Sequence, residues 1–285
     1  MTILLDGKAT STKILLNLAE KINLLDRKPK LAVIIVGENP ASQTYVALKQ
    51  KRAEAVGIES LVIPLSADIS QDALLEHIDI LNEDPTITAI LVQLPLPEHI
   101  DTSRVLLRIA PHKDVDGFNP INAGLLAVGA VPSAYPCTPL GIVTLLNEYK
   151  INISGKHAVI VGRSNIVGKP LSYMLLEKNA TVTICHSKTQ NLAAYTKSAD
   201  ILISAVGQKH IITQDMVKPN AIVIDVGITK TEEGKLAGDV DFANVSQIAG
   251  AITPNPGGVG PITIAMLLMN TYRLFMINNN AQTNN

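Results

Sequence analysis

The sequence predicts an α/β protein of two halves, each a parallel sheet covered by helices. Four observations carry this. Short β-branched apolar runs alternate with longer stretches of helical periodicity. A glycine turn joins one such run to a helix after Val161, and a proline-rich interval breaks the alternation near residue 120. A chain of 285 residues is long enough for two cores.

In the first half, Ile14, Leu15, Leu18, Ile22 and Leu25 form one apolar stripe, which predicts a helix over Lys8 to Asp26. A strand follows at Leu31 to Val36 and ends at Gly37. A helix carrying Tyr45 and Lys49 comes next, then a strand at Leu61 to Leu65, a helix at Ser70 to Asn82 and a strand at Ile87 to Leu94. Continuous apolar strands in this order imply a parallel sheet with both faces covered. Pro95, Pro97 and Pro111, then Asp114-Val-Asp116-Gly117, mark a crossing between domains. Beyond it the sequence predicts a helix at Pro139 to Tyr149, a strand at Ala158 to Val161 and a helix at Gly168 to Lys178. Strands at Thr181 to Cys185, Ile201 to Ser204 and Ala221 to Val226 continue the series. The apolar run from Ile262 to Met276 reads as an amphipathic core helix, too short to span a bilayer, and the Asn-rich tail from Asn278 as frayed.

Composition narrows the function classes. Charged residues are 17% of the chain with a formal net charge of -1, which argues against a polyanion-binding surface. Cys137 and Cys185 are too few for a disulfide framework, and the six histidines lack metal-ligand spacing, so no metal site is expected. With no signal-peptide pattern at the N-terminus, the expected setting is cytoplasmic.

Chemistry first appears at Ser42, Tyr45 and Lys49, spaced i, i+3 and i+7, so that a helix presents hydroxyl, phenol and amine on one face. Partial burial lowers the pKa of such a lysine toward neutrality and suits it to proton transfer; the spacing alone equally describes a surface helix with a chance lysine. In the second half, Gly162-Arg163-Ser164-Asn165-Ile166-Val167-Gly168 lies between strand and helix, the setting of a pyrophosphate site or of an ordinary strand-to-helix turn. The match to G-x-G-x-x-G is imperfect, since Ser164 replaces the middle glycine and the last glycine is displaced by one. The next strand ends Cys185-His186-Ser187-Lys188 without the carboxylate of an NAD site. Arg163 and Ser187 suit a 2′-phosphate, which predicts NADP. Gly207 and Gly227, at strand ends, read equally as ligand-side or plain turn glycines. Thr253 to Pro261, with Pro256-Gly257-Gly258-Val259-Gly260, is either a loop close to a flat ligand or a rigid structural loop.

Taken together the motifs resemble one family. They are Tyr45-x-x-x-Lys49, Val92-Gln93-Leu94-Pro95-Leu96-Pro97, Lys113-Asp-Val-Asp116-Gly117-Phe118 and Asn122-x-Gly124. Pro136-Cys-Thr138-Pro139-x-Gly141, Gly162-Arg-Ser-x-Ile-Val-Gly-x-Pro170, Cys185-His-Ser-Lys-Thr189 and Pro256-Gly-Gly-Val-Gly-Pro261 complete the set. In order and spacing they are similar to the bifunctional methylenetetrahydrofolate dehydrogenase/methenyltetrahydrofolate cyclohydrolases, over nearly the whole chain. The resemblance implies an N-terminal three-layer α/β domain over residues 1–120 and a Rossmann-like NADP-binding domain over 121–261. The C-terminal helix then packs back on the first domain, a folate cleft separates the two, and the chain forms a homodimer. It implies oxidation of 5,10-methylenetetrahydrofolate by NADP, then hydrolysis to 10-formyltetrahydrofolate. Lys49 resembles the catalytic lysine, Tyr45 its neighbour against the ligand, Gln93 the partner that tunes the lysine, and Asp116 the group that grips the pterin. Val92, Leu94 and Pro256 to Gly260 resemble further substrate contacts; Gly162, Arg163, Ser164, Ser187 and Ile228 resemble cofactor contacts. Asn255 and Leu140 depart from the pattern, which favours an apolar and a basic residue there. The alternatives are a dehydrogenase without the hydrolytic step, a non-catalytic NADP-binding module, or an amino-acid dehydrogenase of similar layout.

Overall fold

A computed structural model describes residues 2–230 and 236–283. In chain order the first elements are β1 (Ile3–Leu4), α1 (Gly7–Asn23), β2 (Lys30–Val36), α2 (Pro40–Ala55), β3 (Glu59–Leu65) and α3 (Gln71–Glu83). Then come β4 (Ala89–Val92), α4 (Thr102–Arg108), α5 (Pro120–Ala127), α6 (Cys137–Glu148), β5 (His157–Val161) and α7 (Gly168–Glu177). After β6 (Thr181–Cys185), α8 (Leu192–Thr196) and β7 (Ile201–Ser204), a 3₁₀ turn at Gln214–Met216 leads to β8 (Ile222–Asp225). The chain continues through β9 (Thr229–Lys230), β10 (Leu236–Ala237), α9 (Phe242–Val245), β11 (Ala251–Ile252) and α10 (Val259–Thr283).

Two compact units result, Lys13–Cys137 with Met266–Asn285, and Met1–Thr12 with Thr138–Ala265. In the first, β3, β2 and β4 form a parallel sheet in the order β3-β2-β4, with Ile34 opposite both Ile63 and Val92. Leu74, Ile78 and Leu81 of α3 recur at helical spacing and are buried against Ala32, Ile34, Ile90 and Val92. Burying each such side chain contributes about 1.5–3 kcal/mol, so Ile78→Ala costs about 2–5 kcal/mol. The helices of this unit are capped locally. Ser70 Oγ accepts from Ala73 N, Asp101 Oδ1 from Ser103 N, and Asn119 Oδ1 from Ile121 N ahead of Pro120.

The second unit carries a parallel six-stranded sheet in the order β1-β11-β8-β7-β5-β6. The chain turns outward in both directions from β5, so the strand order reverses where the Gly162 turn begins, the ligand position of an open α/β sheet. Its core gathers Val159, Val161, Leu202, Ile212, Val223 and Val240.

These units shift the expected division. The break falls after Cys137 rather than Pro120, because Asn119 and Asn122 tie α5 backward: Asn119 N and Asn122 Nδ2 both donate to Asp114 Oδ2, and Asn122 Nδ2 also to Pro111 O. The first twelve residues sit in the other unit, because β1 adds to the sheet edge with Ile3 opposite Ala251. Two-residue strands carry no periodicity, and the short α4, α5, α8 and α9 carry little. The residues of α10 from Met266 onward belong with the first unit: Asn270 Nδ2 donates to Val115 O at 2.8 Å and to Tyr135 O at 2.7 Å, and Arg273 Nε to Ser133 O. By length and composition Val259–Asn279 would cross a membrane, longer than the run read from sequence, yet Leu267, Leu268, Leu274 and Phe275 are buried in the protein. The helix runs on to Thr283 through most of the tail expected to fray from Asn278; residues 284 and 285 lie outside the described residues.

Candidate active site

The first unit brings Tyr45, Lys49, Gln93 and Asp116 together from three segments. Asn39 Oδ1 accepts from Ser42 N at the start of α2, and Pro40 takes the first helical position, where no N–H is needed. Side chains on a helix lean toward its N-terminus; this carries the Lys49 amine back toward the carboxyl end of β4. There Gln93 N donates to Ile34 O at 2.9 Å, extending the β4 ladder by one residue. The same strand is held from the other side, where Ile90 N donates to Lys113 O at 2.7 Å and a parallel bridge joins Ile90 to Asp114. The segment leading to Asp116 therefore runs alongside β4 and delivers its carboxyl to the end of the strand where Gln93 stands.

Within this cluster Lys49 Nζ donates to Gln93 Oε1 at 3.0 Å. Gln93 Nε2 donates to Leu94 O at 2.6 Å, which fixes the amide with its oxygen toward the lysine. The amine lies 5.0 Å from the centre of the Tyr45 ring. Lys49 is only 7% exposed, and burial lowers its pKa, against the raising effect of the Asp116 charge. Burial pushes the Tyr45 phenol up to about 12, with Asp116 adding to it, so the phenol keeps its proton near neutral pH. Burial also raises Asp116, opposed first by Lys49 and then by a hydrogen bond with the Cys137 thiol. A buried amine inclined to lose its proton, held by an amide and faced by a carboxyl, can pass protons to and from a ligand. Val92 is buried in β4, and Leu94 follows Gln93 at the strand end, while Lys51 is exposed.

In the second unit the residues expected to meet a cofactor are placed by main-chain geometry. Gly162 has φ +128°, and a β-carbon there would stand 2.5 Å from Ala205 O; at Gly168 it would stand 2.1 Å from Gly162 O. Ser164 Oγ accepts from Val167 N and more weakly from Gly168 N, closing the turn into α7. Arg163, Ser164 and Ser187 are exposed, and no carboxylate ends β6. A helix N-terminus with a compressed glycine turn and a cation beside it fits a phosphorylated dinucleotide.

Ile228 and the loop Pro256, Gly257, Gly258, Val259 and Gly260 line one cavity of about 130 Å³, together with Asp225 and Asn255. The glycines of that loop serve different ends. Gly258 packs on the chain itself, since a β-carbon would stand 2.5 Å from Pro254 O, and its carbonyl fills the space a side chain at Gly7 would need. Gly257 takes φ +110°, and Gly260 has nothing within 4 Å of a β-carbon. Gly227 is pressed against Asp239, whereas Gly207, at φ +66°, faces open space.

Sequence reasoning missed several polar residues here. Asn270, fully buried, reaches the Asp116 segment through Val115 O and contacts Cys137 Sγ at 3.5 Å. Asp114 was legible only as part of the crossing segment; it is buried, and burial raises it to about 6 despite its bonds from Asn119 and Asn122. Asp225 and Asp239 are both buried beneath the strand-end turns. A lone Asn in an apolar helix was the one available signal for Asn270. Among the described residues no cluster of His, Cys, Asp and Glu could hold a metal ion.

Fold and site define a class: two-unit α/β proteins pairing a Rossmann-type nucleotide unit with a unit built around a buried lysine. Residues 5–116 match the catalytic-domain model of the tetrahydrofolate dehydrogenase/cyclohydrolase family, and residues 136–279 its NAD(P)-binding-domain model. The chain belongs to that family. It is 56% identical over 271 residues to the bifunctional protein FolD of Burkholderia pseudomallei, covering 94% of this chain and 95% of the relative. A crystal structure of the bifunctional enzyme FolD, methylenetetrahydrofolate dehydrogenase/cyclohydrolase, from Campylobacter jejuni superposes with TM-score 0.96 at 52% identity, covering 97% and 99% of the two chains. The Trypanosoma brucei methylenetetrahydrofolate dehydrogenase-cyclohydrolase, solved with NADP and an inhibitor, superposes with TM-score 0.93 at 39% identity, covering 97% and 98%.

Proposed function

We infer that the protein oxidises 5,10-methylenetetrahydrofolate with NADP and hydrolyses the resulting methenyl compound to 10-formyltetrahydrofolate. The observation that carries the hydrolytic half is the Lys49–Gln93 bond in a buried setting that favours the neutral amine. When bound, NADP accepts the hydride that leaves the methylene carbon. The protein's part in that step is alignment, which needs no acid or base.

Hydrolysis asks more of the side chains. Water adds to the methenyl carbon and gives a proton to Lys49 Nζ. The bond from that carbon to N5 then breaks as Lys49 returns a proton to N5. The hydroxyl proton leaves to solvent, and the formyl group stays on N10. Gln93 Oε1 holds the amine in place for both transfers. A neutral Lys49 also avoids repelling the cationic methenyl compound. Tyr45, protonated throughout, packs beside the amine and offers a hydrogen bond to the ligand. The Asp116 carboxylate accepts the paired donors of the pterin's aminopyrimidine edge.

Val92, Leu94 and Pro256 to Gly260 complete the substrate contacts of this reading, and Gly162, Arg163, Ser164, Ser187 and Ile228 those to NADP. Domain roles follow: the unit containing Lys49 handles the folate and the unit containing Gly162 the nucleotide. The working form is a cytoplasmic homodimer. Supplying methenyltetrahydrofolate without nucleotide tests the hydrolytic half: its absorbance decays faster with protein than without. Comparing NADP with NAD tests the cofactor reading, which fails if NAD gives equal or higher kcat/KM.

A further inference from the structure

Two buried carboxylates lie under the turns that follow β7 and β8, and neither takes part in the chemistry above. Asp239 is wholly buried; its carboxylate accepts from Ser204 Oγ at 2.9 Å, Val206 N at 2.8 Å and Gln208 N at 2.8 Å. These bonds fix the turn after β7. The same carboxylate presses on the turn after β8, where a β-carbon on Gly227 would stand 1.9 Å from Asp239 Oδ1. Asp225, at the end of β8, mirrors this arrangement. It accepts from Gly227 N at 3.1 Å, Asp239 N at 3.0 Å and Val240 N at 3.2 Å, and a β-carbon on Gly238 would stand 1.8 Å from its Oδ2. Each acid thus holds one turn and leaves room for glycine alone beside the other.

Burying two carboxyl groups side by side is costly. Asp225 registers it: burial raises its pKa, and the Asp239 charge adds to the rise. Turns made only to reverse the chain need no such pair. What these turns do have is position. Across the sheet, β6, β5, β7 and β8 are neighbours in that order. On the functional reading above, Ser187 and Arg163 take the 2′-phosphate after β6 and β5, and the α7 N-terminus takes the pyrophosphate. The nicotinamide half then extends toward β7 and β8.

We propose that Asp239 is a positioning residue for the dinucleotide, its carboxylate fixing the two turns that receive the nicotinamide half without touching the nucleotide. Asp239→Asn replaces one acceptor oxygen by an N–H donor among three donors, and so loosens both turns. The inference rests on the NADP reading, and the family's two activities supply the control, because hydrolysis of methenyltetrahydrofolate uses no nucleotide.

The test measures the Kd of NADP and of adenosine 2′,5′-bisphosphate by calorimetry, beside both activities, for the wild type, Asp239→Asn and Ser204→Ala. The expected result for Asp239→Asn is a rise of roughly tenfold or more in NADP Kd and KM. Adenosine 2′,5′-bisphosphate affinity and the hydrolysis rate stay at wild-type values. Ser204→Ala, which removes one of the three donors, moves the same quantities in the same direction by a smaller factor. Unchanged NADP affinity in both variants overturns the proposal. Equal weakening of NADP and of the bisphosphate overturns it as well, as does a parallel loss of hydrolysis, since each marks damage to the whole unit. Should Asp239→Asn fail to fold, Ser204→Ala decides alone. A wild type that binds NADP but forms no NADPH sinks the functional reading, while the affinity comparison still decides the inference.

Discussion

On the proposed function, the surroundings of Lys49 and those of Gly162 work by opposite means. Around Lys49 the working parts are side chains, buried together so that burial moves an amine, a phenol and a carboxyl toward their neutral forms. Around Gly162 the working parts are main chain. There φ +128° and close carbonyl approaches set the turn, while the side chains that would meet the ligand stay exposed. Proton transfer needs a tuned pKa, which only burial and neighbours supply. Gripping a phosphate needs N–H groups in a fixed array, which a helix start supplies for many sequences. One region should therefore fail by loss of a single functional group and the other by loss of shape.

The largest expected effect is at Lys49. Lys49→Ala removes the proton carrier, and hydrolysis falls by about 10²–10⁴-fold, with an unchanged thermal transition and part of the oxidation retained. Steady-state assays of the two reactions on the folded variant check this; equal loss of both would erase the distinction between the regions. Asp116→Ala comes next. It reduces both reactions and raises the folate KM, by roughly 10–100-fold for a lost charge-assisted pair. Unchanged folate KM and rates would dismiss the pterin-edge assignment.

Gly162→Ala tests the other region. The added β-carbon meets Ala205 O, and the positive φ strains any side chain, at about 1–3 kcal/mol. NADP KM rises while hydrolysis without nucleotide persists. Loss of hydrolysis to the same degree would mean that the two regions do not work separately.

A smaller effect on turnover concerns pH. On the proposed mechanism hydrolysis rises with pH as Lys49 loses its proton, because burial lowers the pKa of that amine and the neutral form takes the proton from water. A profile without ionisation between roughly pH 6 and 9 would count against a tuned lysine. Asp114 offers a stability test with a definite sign. Its folded pKa, about 6, lies above its unfolded value, so the folded state holds a proton that the unfolded chain releases. That contribution is full below about pH 4 and is lost as the pH rises through 6. Relative to Asp114→Asn, the wild type should lose about 2–3 kcal/mol across this window. Denaturant unfolding of both proteins at pH 4 and pH 6.5 measures it, and a constant difference would refute it.

How much of this was legible in the sequence follows the same division. The long β-branched runs at 31–36 and 158–161 and the stripe on α1, where Leu15, Leu18 and Ile22 are buried, announced their elements. The spacing of Tyr45 and Lys49 put them on one face of α2, and the Gly162 turn was readable from its place between strand and helix. Gln93 and Asp116 were not readable from local pattern alone and needed the resemblance across many motifs, since their meeting with Lys49 depends on the bridge between Ile90 and Asp114. Residues 1–12 were misplaced because the pairing of β1 with β11 joins chain positions nearly 250 apart. Asp239 escaped notice for the same reason: its partners, from Ser204 to Gln208, lie more than thirty residues upstream.

On the proposed function one chain performs both reactions, with Lys49 serving the second. The most direct test mixes the protein with methylenetetrahydrofolate and NADP and follows the absorbances of NADPH and methenyltetrahydrofolate separately. NADPH forming while little methenyl compound accumulates, with accumulation appearing in Lys49→Ala, is the predicted result. Methenyl compound building up in step with NADPH in the wild type would contradict it and leave a dehydrogenase alone.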